Sequence, residues 1–203
     1  MTTLTQHVER ELKWGLSATD HHRARGLLQQ QFGPAQLLRQ ENRFYDCADG
    51  RLRAAGTSLR LRRENQGCLL TIKSQRHTSG ALHYQNEIEC WLNTSYWPRH
   101  PRPLDASALP LPAALRQQLG PGNLSFLGSF ANTRLQWQRS GELICLDSTR
   151  FGPHWTEWEI EIEIASEEGR EAHWRHFFAS QGIGLQDQQR SKLHRFFAGQ
   201  EGA

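Results

Sequence analysis

Val8-Glu9-Arg10-Glu11-Leu12-Lys13 puts two carboxylates and an amine at alternate positions of one short segment near the N-terminus. In an extended strand, side chains two residues apart share a face, so Glu9, Glu11 and Lys13 project together. Side by side, such groups can hold a divalent cation and the oxyanion it bridges.

The same alternation recurs with charges of both signs. Arg60 and Arg62 flank Leu61, Thr71 and Lys73 flank Ile72, Glu87 and Glu89 flank Ile88, and Glu159, Glu161 and Glu163 alternate with Ile160 and Ile162. Taken singly, each segment fits a half-buried strand whose polar side meets water. The joint pattern argues otherwise. Three glutamates two residues apart stand roughly 7 Å from one another. Each neighbouring pair repels by about 0.6 kcal/mol in bulk water, and by about 2 kcal/mol in an enclosed site of effective dielectric about 20. An enclosed face therefore needs cations, and Lys13, Arg60, Arg62, Lys73 and Arg134 all lie on predicted strands. A closed sheet would gather acidic and basic strands around one lumen, with Leu12, Leu59, Leu61, Ile72, Ile88, Ile160 and Ile162 covered from outside by helices. Such a lumen suits a metal-bound, highly charged phosphate chain.

Composition sets the bounds. A chain of 203 residues can bury a sizeable core, and its 24 basic residues nearly balance 21 acidic ones, for a net charge of +3. That balance argues against a protein that coats nucleic acid, and no nucleic-acid partner is expected. Cys47, Cys68, Cys90 and Cys145 are widely spaced, without zinc-ligand spacing, which favours reduced thiols in a cytoplasmic protein. Neither a cleavable leader pattern nor a membrane-length apolar run is present, so no membrane partner is expected. The ten histidines, His21-His22 and His173/His176 among them, complete no recognisable ligand set and read as surface or packing residues. Trp14, Trp91, Trp155 and Trp158 read as packing residues too.

The coarse element order is a strand over about 7–14, then a helix from the Ser17/Thr19/Asp20 capping region to Phe32, stopped by Gly33-Pro34. A strand follows over Gln36–Cys47 and a connection over Gly50–Gly56. Thr57–Glu64 and Cys68–Gln75 read as a hairpin around Asn65-Gln66-Gly67, and Leu82–Leu92 as another strand. Trp97–Pro112, with Pro98, Pro101, Pro103, Pro110 and Pro112, reads as an irregular connection inside a single domain spanning 1–203. A short helix over Ala113–Leu119, strands over Ser125–Arg139, Glu142–Asp147 and Trp155–Ala165, and helices over Glu167–Ser180 and Gln189–Ala198 complete the chain. Ser140-Gly141 turns the first pair of those strands. The fold class is α+β: an antiparallel barrel with helices packed outside it.

The residues then identify a resemblance. Val8–Lys13 resembles the E-x-E-x-K signature of the CYTH, or triphosphate tunnel metalloenzyme, superfamily, which includes inorganic triphosphatases, thiamine triphosphatases and class IV adenylyl cyclases. In order follow Phe44-Tyr45-Asp46-Cys47, similar to an aromatic-aromatic-Asp-Thr strand with cysteine in place of threonine, and Gly56-Thr57-Ser58-Leu59-Arg60-Leu61-Arg62, similar to G-x-x-L-R-x-R. Leu70–Lys73, Asn86–Glu89, Arg134, Leu146-Asp147, Glu159–Glu163 and Ser191-Lys192 extend the likeness to nearly the whole chain.

The resemblance implies an eight-stranded antiparallel tunnel that binds triphosphate with Mg²⁺ or Mn²⁺. It implies Glu9, Glu11, Asp147, Glu159 and Glu161 as metal-binding acids, and Lys13, Arg60, Arg62, Lys73, Arg134 and Lys192 as phosphate-binding cations. Glu87, Glu89 and Glu163 are the candidates for orienting water. On the residues alone, Lys192 also fits an exposed helix position, Glu163 a mouth in solvent and Asp147 a turn. The opening signature, Leu70–Lys73 and Ser79-Gly80-Ala81-Leu82-His83 are most similar to bacterial inorganic triphosphatases often fused to a histidine-rich CHAD domain. A CHAD domain, separate or deleted, is therefore a possible partner. The implied reaction is hydrolysis of inorganic tripolyphosphate to pyrophosphate and phosphate. Alternatives are hydrolysis of thiamine or nucleoside triphosphates, cyclisation of ATP, non-catalytic polyphosphate binding, and capture of RNA ends.

Overall fold

The computed structural model describes residues 3–65, 67–120 and 122–201. In chain order the elements are β1 (Thr5–Leu16), α1 (Ala18–Phe32), β2 (Gln36–Asp46), α2 (Arg51–Ala54), β3 (Ser58–Glu64), β4 (Gly67–Ser79) and β5 (Leu82–Leu92). Then come β6 (Leu104–Asp105), α3 (Ala113–Leu119), β7 (Asn123–Arg139), β8 (Glu142–Arg150), β9 (Thr156–Glu163), α4 (Arg170–Ala179), β10 (Gln186–Asp187) and α5 (Lys192–Glu201). The connection expected over Gly50–Gly56 contains the single helical turn of α2, whose Leu52 and Arg53 amides donate to the Asp46 carboxylate. Gln66, the centre of the expected Asn65-Gln66-Gly67 turn, lies outside the described residues.

The long strands hydrogen-bond in the order β1-β5-β4-β3-β2-β7-β8-β9, and β9 pairs back onto β1. This closed, antiparallel, eight-stranded ladder with helices outside it is the expected α+β barrel. Closure removes the unpaired edges that an open sheet would expose.

Local sequence explains the joints. The Ser17 side chain caps α1 by accepting from the Asp20 amide at 3.0 Å, and Gly33, at φ +83°, ends it. Ser140 and Gly141 both have positive φ, the pair a two-residue hairpin turn requires.

Contacts group the chain into two compact units. One comprises Met1–Glu9, Arg39–Arg76 and Gln85–Ala131; the other comprises Arg10–Leu38, His77–Tyr84 and Asn132–Ala203. In the second unit, Leu12, Trp14, Ile144, Leu146, Ile160 and Ile162 face Ala24 and Leu28 of α1 and Trp174 and Phe178 of α4. Burying a side chain of this size contributes roughly 1.5–3 kcal/mol. The alternate residues of β1 and β9 are thereby left on the sheet face turned away from those helices.

In the first unit, Tyr45, Leu59, Leu61, Leu70 and Ile72 pack with Leu104, Leu109, Leu111, Leu115 and Leu119. Here the cover is only partly helical. The proline-rich connection itself, through β6 and a 3₁₀ turn at Ala106–Ala108, supplies leucines to the core. Cys47, Cys68 and Cys90 lie in this core as free thiols, and Cys145 is a free buried thiol of β8. Trp14 is a fully buried packing residue, whereas Trp91 is 56% exposed and lies against the bare backbone of Gly67. Among the described residues, no helix is long and apolar enough to cross a membrane.

Candidate active site

The second unit holds a tight charged cluster. The register pairs Glu11 with Glu163, Lys13 with Glu161, Cys145 with Glu161, and Asp147 with Glu159. Directly opposed residues project to the same side of a sheet, so all of these share the face turned away from α1 and α4. Asp147 lies inside β8 rather than in a turn and is fully buried.

Asp147, Glu159 and Glu161 each present an oxygen within 4.8 Å of the others, and all three are buried. Cations surround them. Arg134 forks onto Asp147 at 2.8 and 2.7 Å and reaches Glu161 at 2.5 Å. Lys13 contacts Glu11 at 2.5 Å and Glu161 at 3.0 Å. Lys192, the first residue of α5, contacts Asp147 and Glu161 at 2.9 Å each, and Glu159 as well.

Burial would push the Asp147 and Glu161 carboxyls up. The facing cations outweigh it: Arg134 and Lys192 hold Asp147, and Lys13, Lys192 and Arg134 hold Glu161, well below the usual carboxylate range. Conversely, burial would lower Lys13 and Lys192, and the carboxylates around them raise both instead. Three carboxylates on two adjacent strands match the hard-ligand preference of Mg²⁺ and Mn²⁺. The trio can hold one divalent ion.

The first unit holds a second cluster. Lys73 contacts Glu9 at 2.8 Å and Glu87 at 3.3 Å, and the Gln85 amide also donates to Glu9. Burial, first, and then the facing carboxylates Glu9 and Glu89 raise the Glu87 carboxyl, against the lowering pull of Lys73. Arg60 donates to the Thr71 hydroxyl at 3.0 Å, and that hydroxyl donates to Glu89 at 3.0 Å. Arg62 donates to the Asn42 carbonyl oxygen at 3.0 Å.

The residues expected at the site thus fall into two groups. Glu11, Lys13, Arg134, Asp147, Glu159, Glu161 and Lys192 meet in the second unit, with Glu163 on the same face and half-buried. Glu9, Arg60, Arg62, Lys73, Glu87 and Glu89 lie in the first. Among the described residues, the acids close enough to share one ion are Asp147, Glu159 and Glu161, and this trio includes neither Glu9 nor Glu11.

Four further residues escape the sequence reading. Buried Arg195 contacts Glu159 at 2.5 Å and Glu157 at 2.9 Å; its spacing of three from Lys192 on a helix was the available signal. Gln85 and Asn42 are neutral and gave none, and Cys145 was legible only through its alternation with Asp147.

Comparisons with known proteins agree with this architecture. HpAC1 from Hippeastrum, described as an adenylyl cyclase candidate with a dominant triphosphatase activity, superposes with a TM-score of 0.81 at 24% identity, covering 94% of this chain and 96% of its own. An adenylate cyclase candidate from Bacillus halodurans gives 0.69 at 22%, covering 95% and 98%. A Pyrococcus horikoshii protein gives 0.60 at 17%, covering 94% and 99%. Among curated proteins, no sequence matches this chain. The family model described as the CYTH domain matches residues 7–197, and the chain therefore belongs to the CYTH family.

Proposed function

We propose that the protein is a metal-dependent triphosphatase that hydrolyses inorganic tripolyphosphate to pyrophosphate and phosphate. The observation that carries this reading is the buried trio Asp147, Glu159 and Glu161, enclosed by Lys13, Arg134 and Lys192. Carboxylates gathered this closely repel one another strongly in a low-dielectric site, and a bound cation relieves that repulsion. A bound Mg²⁺ or Mn²⁺ supplies charge neutralisation at phosphate oxygens and lowers the pKa of water bound to it.

In this reading, Lys13, Arg134 and Lys192 bind phosphate oxygens beside the trio, and Arg60, Arg62 and Lys73 bind further phosphate oxygens. Arg60 is pre-aimed by Thr71, itself fixed by Glu89, so little side-chain freedom is lost when an anion binds. The Hippeastrum relative's described triphosphatase activity agrees with the same chemistry. Glu87, Glu89 and Glu163 are the carboxylates proposed to orient water. Burial raises the Glu87 carboxyl above the usual glutamate value, which makes it a better proton acceptor than a solvated carboxylate.

The test is phosphate release from tripolyphosphate, thiamine triphosphate, ATP and long-chain polyphosphate, each with Mg²⁺, Mn²⁺ or EDTA. Tripolyphosphate with a divalent ion is expected to turn over fastest, and Arg60→Ala to lose about 100-fold or more. Unchanged turnover in EDTA, or in Arg60→Ala, would overturn the proposal. Faster turnover of another triphosphate would replace the substrate.

A further inference from the structure

We infer that Lys192 is a tethered counter-cation, whose ammonium holds the centre of the Asp147–Glu159–Glu161 trio until a divalent ion displaces it. The inference rests on the metal-binding reading of that trio and concerns what this chain's own residues do as the ion arrives.

One nitrogen, Lys192 Nζ, contacts Asp147 Oδ2 at 2.9 Å, Glu161 Oε1 at 2.9 Å and Glu159 Oε1. These are the three residues able to share one ion. A divalent ion bound to the trio would lie about 2.0–2.6 Å from its oxygens, and so almost on top of the ammonium. Two cations cannot share that space, so loading is an exchange of one charge for two. Lys13 and Arg134 do not compete in the same way, because each contacts only one or two of the three acids.

The rest of α5 is anchored independently of Lys192. Arg195 is held by Glu157 and Glu159, and Phe196 packs near Phe151, whose ring lies tilted against Trp155. Gly199 meets the Trp155 ring so closely that an added Cβ would collide with it. The exchange is therefore a swing of one long side chain over a docked helix. It releases an ammonium beside the ion, where a phosphate oxygen would be the next acceptor.

Two measurements test this. The first uses the unaltered protein: acetic anhydride labelling of Lys192, followed by mass spectrometry at fixed pH without substrate, is expected to accelerate when Mn²⁺ is added. A rate that is unchanged or lower would overturn the inference. The second is Mn²⁺ titration by calorimetry, with Lys192→Gln and Asp147→Asn as variants. If the ammonium occupies the centre about nine-tenths of the time, removing it tightens Mn²⁺ binding about tenfold. Lys192→Gln should also melt lower than wild type in EDTA, and saturating Mn²⁺ should narrow that gap. Unchanged Mn²⁺ affinity in Lys192→Gln, alongside lost affinity in Asp147→Asn, would overturn the exchange and leave the metal reading standing. Wild-type affinity in Asp147→Asn would overturn the metal reading itself.

Discussion

Asp147 and Glu161 are buried carboxylates whose charge is balanced by Arg134, Lys13 and Lys192, and their pH behaviour follows from that pairing. Both titrate below their unfolded values of 3.8 and 4.5, so their stabilisation is present above those values and is lost as pH falls through the folded ones. Lys13 and Lys192 titrate above 10.5, so their contribution is full below that value and is lost only as pH rises through the higher folded ones. Glu87 has the opposite sign to the first pair: its raised carboxyl makes the folded state bind the proton more tightly, so it costs stability as pH rises from 4.5. Thermal melts across the acid range should therefore fall steeply below about pH 4, and a flat profile there would contradict the pairing. Lys13→Met leaves Glu11 and Glu161 short of a buried partner and should cost about 3–5 kcal/mol in urea unfolding; a cost under about 1 kcal/mol would place the lysine in solvent. Thr71→Val keeps the side-chain shape but frees Arg60 from Glu89. Two hydrogen bonds are lost, the one from Arg60 and the one to Glu89; the loss of Arg60's pre-aiming, about 1 kcal/mol, should raise KM for tripolyphosphate about fivefold with kcat nearly unchanged.

At the scale of elements, the joints with strong local chemistry were legible. Ser17 and Gly33 bound α1, and Ser140-Gly141 turns β7 into β8, because caps and tight turns depend on residues adjacent in sequence. The proline-rich stretch was legible as irregular but not as core. Its leucines follow no helical or strand period, so nothing in the sequence shows that Leu104, Leu109 and Leu111 cover β3 and β4. The site was legible as a set of alternating charges, whereas its grouping was not. Which carboxylates meet depends on register, here Asp147 opposite Glu159, and register between strands is not written in either strand alone. Arg195 was missed for a related reason, since a tail helix shows its role only once its partner strand is known. Gly199→Ala would drive a methyl into the Trp155 ring and should destabilise the helix by about 1–3 kcal/mol, seen as faster hydrogen exchange over Lys192–Glu201. Unchanged protection would mean that the helix is held elsewhere.

For the whole molecule, the decisive feature is that the ladder returns to its first strand. β9 pairs with β8 on one side and with β1 on the other, so Glu159 and Glu161 receive neighbours from both. Asp147 arrives from β8 and Lys13 from β1, and an open sheet ending at β9 would lose the second of these. The closed ladder thus converts a one-dimensional alternation of charges into a compact cluster of three buried carboxylates able to hold a cation. Anomalous diffraction from crystals grown with Mn²⁺ would locate the ion. A manganese peak bounded by Asp147, Glu159 and Glu161 is expected, with the Lys192 ammonium moved off their centre. Manganese bound elsewhere, with Lys192 still seated among the three carboxylates, would contradict it.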